Sequence, residues 1–281
     1  MSRINDTASV LCFCMGIMLI NSCTTKNSKS NVERNETMND QKKQKDSGTF
    51  EVTDKSGAKI LLEWIKLNTQ SPEFAETLKS IGDVTATALV PVESGFLQAN
   101  PGLELDDPYL KQFEVFFKNG HKNVDWTAVE EKIHQVIKQL HSMDHSKFGS
   151  ENIYLFVTAK DKTTKKILGA IVFFIAPEYP SGDIKCTSFA VEPSAQGRGL
   201  GKLLLSSIFR ITQNFKRIFL CTRSTNSNAL KVYCACGFTK DLNPIPEQHF
   251  KLNPEHWASF EYKVDQSDIL QKTASTLSNL K

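Results

Sequence analysis

Ser188-Phe-Ala-Val-Glu-Pro-Ser-Ala-Gln-Gly-Arg-Gly-Leu-Gly-Lys-Leu-Leu-Leu205 runs an apolar strand into a glycine turn and then into an apolar helix. Gly197, Gly199 and Gly201 can take backbone angles that other residues avoid, and they let a ligand approach the main chain closely. The first turn of the following helix adds unpaired N–H groups and a positive dipole end. The stretch therefore reads as an anion site fit for a phosphate or diphosphate. Spacing excludes two common phosphate loops. A dinucleotide fingerprint needs a third glycine where Lys202 stands, and a P-loop needs Ser or Thr where Leu203 stands.

The turn does fit the pattern Q/R-x-x-G-x-G/A, as Gln196-Gly-Arg-Gly199-Leu-Gly201, after a strand ending in Ala190-Val191-Glu192-Pro193. In that form it resembles the coenzyme A pyrophosphate loop of the GNAT superfamily of N-acetyltransferases. A second stretch, Asn226-Ser-Asn-Ala229-Leu-Lys-Val-Tyr233-Cys-Ala-Cys-Gly237-Phe238, is similar to that superfamily's N-x-x-A-x-x-x-Y-x-x-x-G-F helix at every marked position. An apolar strand at 216–222 lies between the two.

The resemblance covers about residues 83–265 and is strongest from 187 to 238. It implies an α/β (α+β) fold with a mixed, mostly antiparallel central sheet and helices on both faces. It also implies transfer of an acetyl or other short acyl group from acyl coenzyme A to a primary amine, by direct attack in a ternary complex. Backbone N–H groups of Gly197 through Gly201, with Gln196, Leu200 and Lys202 in the same turn, would cradle the pyrophosphate, Arg198 adding charge. The main chain of Phe189, Ala190 and Val191 would bond the pantetheine arm like an extra strand. Asn226 and Asn228 would cap the last helix or touch the cofactor. Tyr233 would be the general acid, its phenol protonated at neutral pH with a pKa near ~10. No base is identified: Glu93, Glu178, Asp183 and Glu192 read as surface charges, and Lys185 stands where some relatives carry a carboxylate. The reading from another class is a membrane-anchored module of the same fold that binds a coenzyme A-like or peptide ligand without catalysis.

Composition agrees with a globular domain plus extensions: 281 residues, 40% hydrophobic and 23% charged. A net charge of +3, with no basic run interleaved with aromatics, gives no ground for a nucleic-acid partner. Arg3 precedes an apolar run at 8–20, too short to span a bilayer but suited to a secretory leader. Ile20-Asn21-Ser22-Cys23 then resembles a bacterial lipoprotein cleavage box, so residues 1–23 read as a leader and Cys23 as a lipid tether to the membrane. An uncleaved anchor, or a mis-assigned start before a cytoplasmic enzyme, remain alternatives. Residues 24–48 are polar enough to stay a disordered tether.

Residues 49–82 form an N-terminal extension. Phe50 and Val52 alternate with polar residues, Asp54-Lys-Ser-Gly57 makes a turn, and 60–65 reads as a returning strand or a helix face. Ser71-Pro72-Glu73 starts a helix through Phe74, Leu78 and Ile81, which Gly82 ends. The main domain, 83–265, opens with a strand at 84–92. A helix capped by Asp107-Pro108 carries Leu110, Phe113, Phe116 and Phe117. Thr127 and Glu130 form a capping box for a helix with Val129, Ile133, Val136, Ile137 and Leu140 on one face. A hairpin at 153–159 and 167–176 follows. Residues 266–281 form a tail. His141 and His145 have metal-compatible spacing but no third ligand, and there is no C-x-x-C pair, so no metal is expected. Cys221, Cys234 and Cys236 read as buried small hydrophobes.

Overall fold

The structure, a computed structural model, describes residues 46–101, 111–143, 151–177, 179–212, 215–241 and 257–264. The leader, residues 24–45 of the tether, Asp107-Pro108, His145, Glu178, residues 242–256 and the tail lie outside the described residues, while Ser47 and Gly48, expected in the tether, open the first strand of the sheet.

Eight strands form one sheet in the order β1-β2-β3-β4-β5-β6-β8-β7. They are β1 (Ser47–Thr53), β2 (Lys59–Asn68), β3 (Ile153–Asp161), β4 (Ile167–Ile175), β5 (Asp183–Val191), β6 (Arg217–Arg223), β7 (Thr239–Lys240) and β8 (Trp257–Lys263). All pairings are antiparallel except β5 with β6. The middle strands β3, β4 and β5 are buried along nearly their whole length, as strands covered on both faces must be. On one face Tyr154, Phe156, Val172 and Phe174 pack under the helices α1 (Phe74–Ser80), α2 (Gly82–Ala99) and α4 (Trp126–His141). On the other, Leu155, Val157, Ile171 and Phe173 pack under α5 (Leu200–Ser206), α6 (Ile208–Ile211) and α7 (Ser227–Ala235). A short helix α3 (Glu114–Phe117) precedes α4.

Residues 84–92, expected as a strand, lie inside α2. Val84, Thr85, Thr87, Val90 and Val92 favour strands, and Pro91 removes one helical donor. Burial overrides them: Val84, Ala86, Ala88, Phe96 and Leu97 are sunk in the core, and Ser94 Oγ donates to Glu130 Oε1 of α4 at 2.9 Å. Gly82 thus begins α2 instead of ending its predecessor, and its missing side chain matters, since a Cβ there would lie 3.1 Å from His141 Cβ.

The first strands of the sheet come instead from the segment read as an extension, where β2 pairs with β3 from Ile60↔Asp161 to Asn68↔Ile153. Two caps also differ from expectation. α1 starts at Phe74 with Glu73 as an uncapped N-cap, Ser71 Oγ donating back to Asn68 Oδ1 at 3.2 Å instead. α4 is capped by Asp125, which accepts from the N–H groups of Thr127 and Ala128 at 3.1 and 3.2 Å. The apolar face of α4 is buried as expected. Among the cysteines Cys186 is buried, Cys221 and Cys236 are half-buried and Cys234 is exposed, so the expectation of burial fails for Cys234.

Candidate active site

Strands β5 and β6 pair only from Asp183↔Arg217 to Lys185↔Phe219 and then part. The cause is local to β5. Phe173 faces Cys186 while its neighbour Val172 faces Ser188, so Thr187 is an extra residue, a bulge that bends the strand away from β6. Thr187 Oγ1 steadies the bend by donating to Val172 O at 3.2 Å. At the paired end Arg217 locks the strands, donating to Asp183 Oδ2 from Nε at 3.0 Å and Nη2 at 2.6 Å. Beyond that point residues 186–191 of β5 present a backbone row that β6 leaves unpaired, the place where an extended ligand can lie as a missing strand.

The glycine turn stands at the mouth of this wedge. Gly197 and Gly199 have φ of 79° and 86°, left-handed values that favour glycine. Gln196 Nε2 donates to Val191 O at 3.2 Å and ties the turn back to its strand. The N–H groups of residues 197–202 meet no acceptor among the described residues, so a run of donors is left for a ligand. Gly201 packs against its neighbours without strain, since a Cβ there would meet Phe189 Cζ at 3.4 Å and Val232 Cγ1 at 3.5 Å, ordinary contact distances.

A cleft of about 770 Å3 runs along this turn and is lined by Ala190, Val191, Gly197, Gly199, Lys202 and Asn228, among others. Its size suits a nucleotide-sized ligand. It continues into a slot of about 80 Å3 between the parted strands, the two sharing Leu89, Val92, Phe189, Asn226 and Ala229. Tyr233 lines the slot beside Cys186, Thr187, Ser188 and Thr222.

Tyr233 is 4% exposed, its ring 6.0 Å from that of Phe189. Burial, with the nearby Cys186 and Cys221, pushes its phenol well above the ordinary tyrosine value, while a hydrogen bond with Thr222 pulls modestly the other way. Thr222 Oγ1 in turn accepts from Asn226 Nδ2 at 3.3 Å, and Asn226 Oδ1 accepts from Ala229 N–H at 3.2 Å as the N-cap of α7. One asparagine thus starts the helix that carries Tyr233 and steadies the threonine that orients its hydroxyl.

The sequence reading missed Thr222, and it did not foresee the partner that Arg198 takes. Arg198 does not line the cleft: its Nε donates to Asp54 Oδ2 at 2.6 Å, and the lysine beside that aspartate, Lys55, lines the cleft instead. Of the carboxylates weighed as bases, Asp183 is bound to Arg217, Glu192 to Lys166, and Glu93 to Arg223. Only Glu93 lines the slot. Lys185 is buried at the last β5–β6 pair, outside both cavities. His141 Nδ1 sits 2.9 Å from Ile137 O. No group of three metal-ligating side chains occurs among the described residues.

A bulged strand parting from its parallel neighbour, with a glycine turn at the mouth and a tyrosine within, completes a mixed α/β domain of the GNAT fold. Residues 123–238 match the model of the Acetyltransferase (GNAT) family. No curated protein matches the sequence. Similar solved structures include the GNAT domain of S. lividans PAT, 14% identical with a TM-score of 0.43, covering 77% of this chain and 97% of that one. The paia N-acetyltransferase of Thermoplasma acidophilum in complex with coenzyme A is 15% identical with a TM-score of 0.40, covering 72% and 99%. A GNAT family acetyltransferase from Elizabethkingia anophelis with acetyl-CoA bound is 17% identical with a TM-score of 0.31, covering 40% and 76%.

Proposed function

We propose that this domain transfers an acetyl or other short acyl group from acyl coenzyme A to a primary amine, by direct attack in a ternary complex. The observation that carries the reading is the continuity of the two cavities: donors at 197–202 open onto a wedge whose lining includes Tyr233. Acyl coenzyme A would supply the activated acyl group. The protein's part is to bind the diphosphate with the N–H groups of residues 197–202 and to align the extended arm along the free row of β5.

Tyr233 then holds a proton at its phenol oxygen for the departing thiolate sulfur. Its raised pKa keeps that proton in place across the physiological range. The narrowness of the slot favours a short acyl chain. Calorimetric titration with acetyl coenzyme A, followed by a thiol-release assay over a set of amines, tests the proposal. Absence of binding ends it, while binding without release for any amine would favour the non-catalytic module.

The membrane tether is proposed from sequence alone. Arg3, the apolar run at 8–20 and the box ending at Cys23 predict a diacylglyceryl-modified mature N-terminus. Intact-mass measurement of the protein from its native membrane tests this, an unmodified residue 1 overturning it.

A further inference from the structure

The turn joining β1 to β2 is remote in sequence from the glycine turn, yet the two are fastened at three points. Lys55 N–H donates to Arg198 O at 3.0 Å. Arg198 Nε donates to Asp54 Oδ2 at 2.6 Å. The stem of Lys55 lies over Gly199, where an added Cβ would meet Lys55 Cγ at 3.2 Å and Cε at 3.4 Å.

Asp54 is a rigid anchor for this arrangement. Its side chain is wholly buried, and Oδ1 accepts from Ser56 N–H at 2.8 Å, Ser56 Oγ at 2.6 Å and Ala58 N–H at 3.0 Å. Burial raises the carboxyl's pKa, but the hydrogen bonds from Ser56, Arg198 and Ala58 outweigh it and hold the group below the ordinary value. With Arg198 turned to Asp54, the cations lining the wide cleft among the described residues are Lys55 and Lys202, and no carboxylate lines it. That leaves an uncompensated positive field where the turn's free N–H groups converge.

We infer that Lys55 is a further cofactor-binding residue, its ammonium neutralising the diphosphate held by residues 197–202, with the Asp54–Arg198 pair positioning it. The inference rests on the acyl coenzyme A reading above and adds to it a cation from outside the glycine turn. An exposed lysine in a two-strand turn needs no such fastening for its own sake. Two hydrogen bonds and a packed stem that hold it against the loop are what a preorganised phosphate contact requires.

The test is titration of the full-length protein, wild type and Lys55→Ala, with acetyl coenzyme A, its analogue lacking the 3′-phosphate, and S-acetylpantetheine, which lacks the diphosphate. Lys55→Ala should weaken both phosphate-bearing ligands by about tenfold, the loss typical of one charged hydrogen bond, and leave S-acetylpantetheine unchanged. Lys55→Arg should restore most of the affinity. In steady state the loss should fall on KM for acetyl coenzyme A with kcat kept. Asp54→Asn should reproduce part of the effect by loosening the turn. Unchanged affinity in Lys55→Ala, or a loss confined to the ligand carrying the 3′-phosphate, overturns the inference and leaves the acyltransferase reading standing. A wild type that binds none of the three sinks both.

Discussion

Arg223 donates from Nε and Nη2 to both oxygens of Glu93, at 2.8–3.2 Å, while its guanidinium lies between the rings of Phe96 and Trp257 at 4.0 and 4.1 Å from their centroids. This fork pins α2 to the far end of β6, just where β6 has left β5, so the wedge is braced at its open end by charge and aromatic faces. Both side chains are nearly enclosed, so removing one strands the other. Glu93→Ala should cost about 3 kcal/mol, measured by urea denaturation, well beyond what a surface carboxylate would.

Tyr233→Phe removes the proposed proton donor but keeps the ring against Phe189, Phe238 and Phe260. Turnover should fall by about a hundredfold with the Kd for acetyl coenzyme A unchanged within roughly twofold. Since burial raises this phenol's pKa, the wild-type rate should show no falling limb from its ionisation below pH ~10. Unaltered turnover in the variant rules out the acid role.

Thr222→Val keeps the volume but deletes the hydroxyl between Asn226 and Tyr233. Because Thr222 orients the phenol and holds no reacting atom, the loss in kcat should be smaller, about tenfold, and absent on a Tyr233→Phe background. A double-mutant cycle reads this directly, and additive losses would mean the two side chains act independently.

Gly199→Ala meets two obstacles at once, a φ of 86° and the Lys55 stem 3.2 Å from the new methyl. It should destabilise by about 1–2 kcal/mol and weaken acetyl coenzyme A binding, whereas Gly201→Ala, whose Cβ meets neighbours only at ordinary contact distance, should fold and bind nearly as wild type. Thermal melts with and without ligand compare the two.

Asp54 supplies a pH signature. Its folded-state pKa lies below the unfolded value of about 3.9, so its contribution is complete above that value and is lost as pH falls through the folded one. The stability gap between wild type and Asp54→Asn should therefore be constant from pH 7 to about 5 and close at lower pH. Urea titrations across that range check it, and a gap that widened on acidification would contradict the sign.

The stretch from Ser188 to Phe238 was legible because its information is local: glycines where φ turns positive, an asparagine that caps, a tyrosine one helical face away. The β3–β4 hairpin and the buried face of α4 were legible from periodicity for the same reason. α2 was not, because its β-branched residues and Pro91 argue for a strand and only contact with α4 and β5 makes it a helix. The Asp54–Arg198 bond joins residues 144 apart, and nothing near either one announces the other. Arg198 looked like the loop's own cation for that reason, and Lys55 looked like an ordinary turn residue.

The pairing of β2 with β3 bears on how the protein can be handled. An expression fragment trimmed to begin at Asp83 would bare the whole backbone margin of β3, a strand whose side chains are almost entirely apolar and enclosed. Such a margin recruits strands from other molecules, so the shortened protein should precipitate, and any loss of activity in it would report self-association and not chemistry.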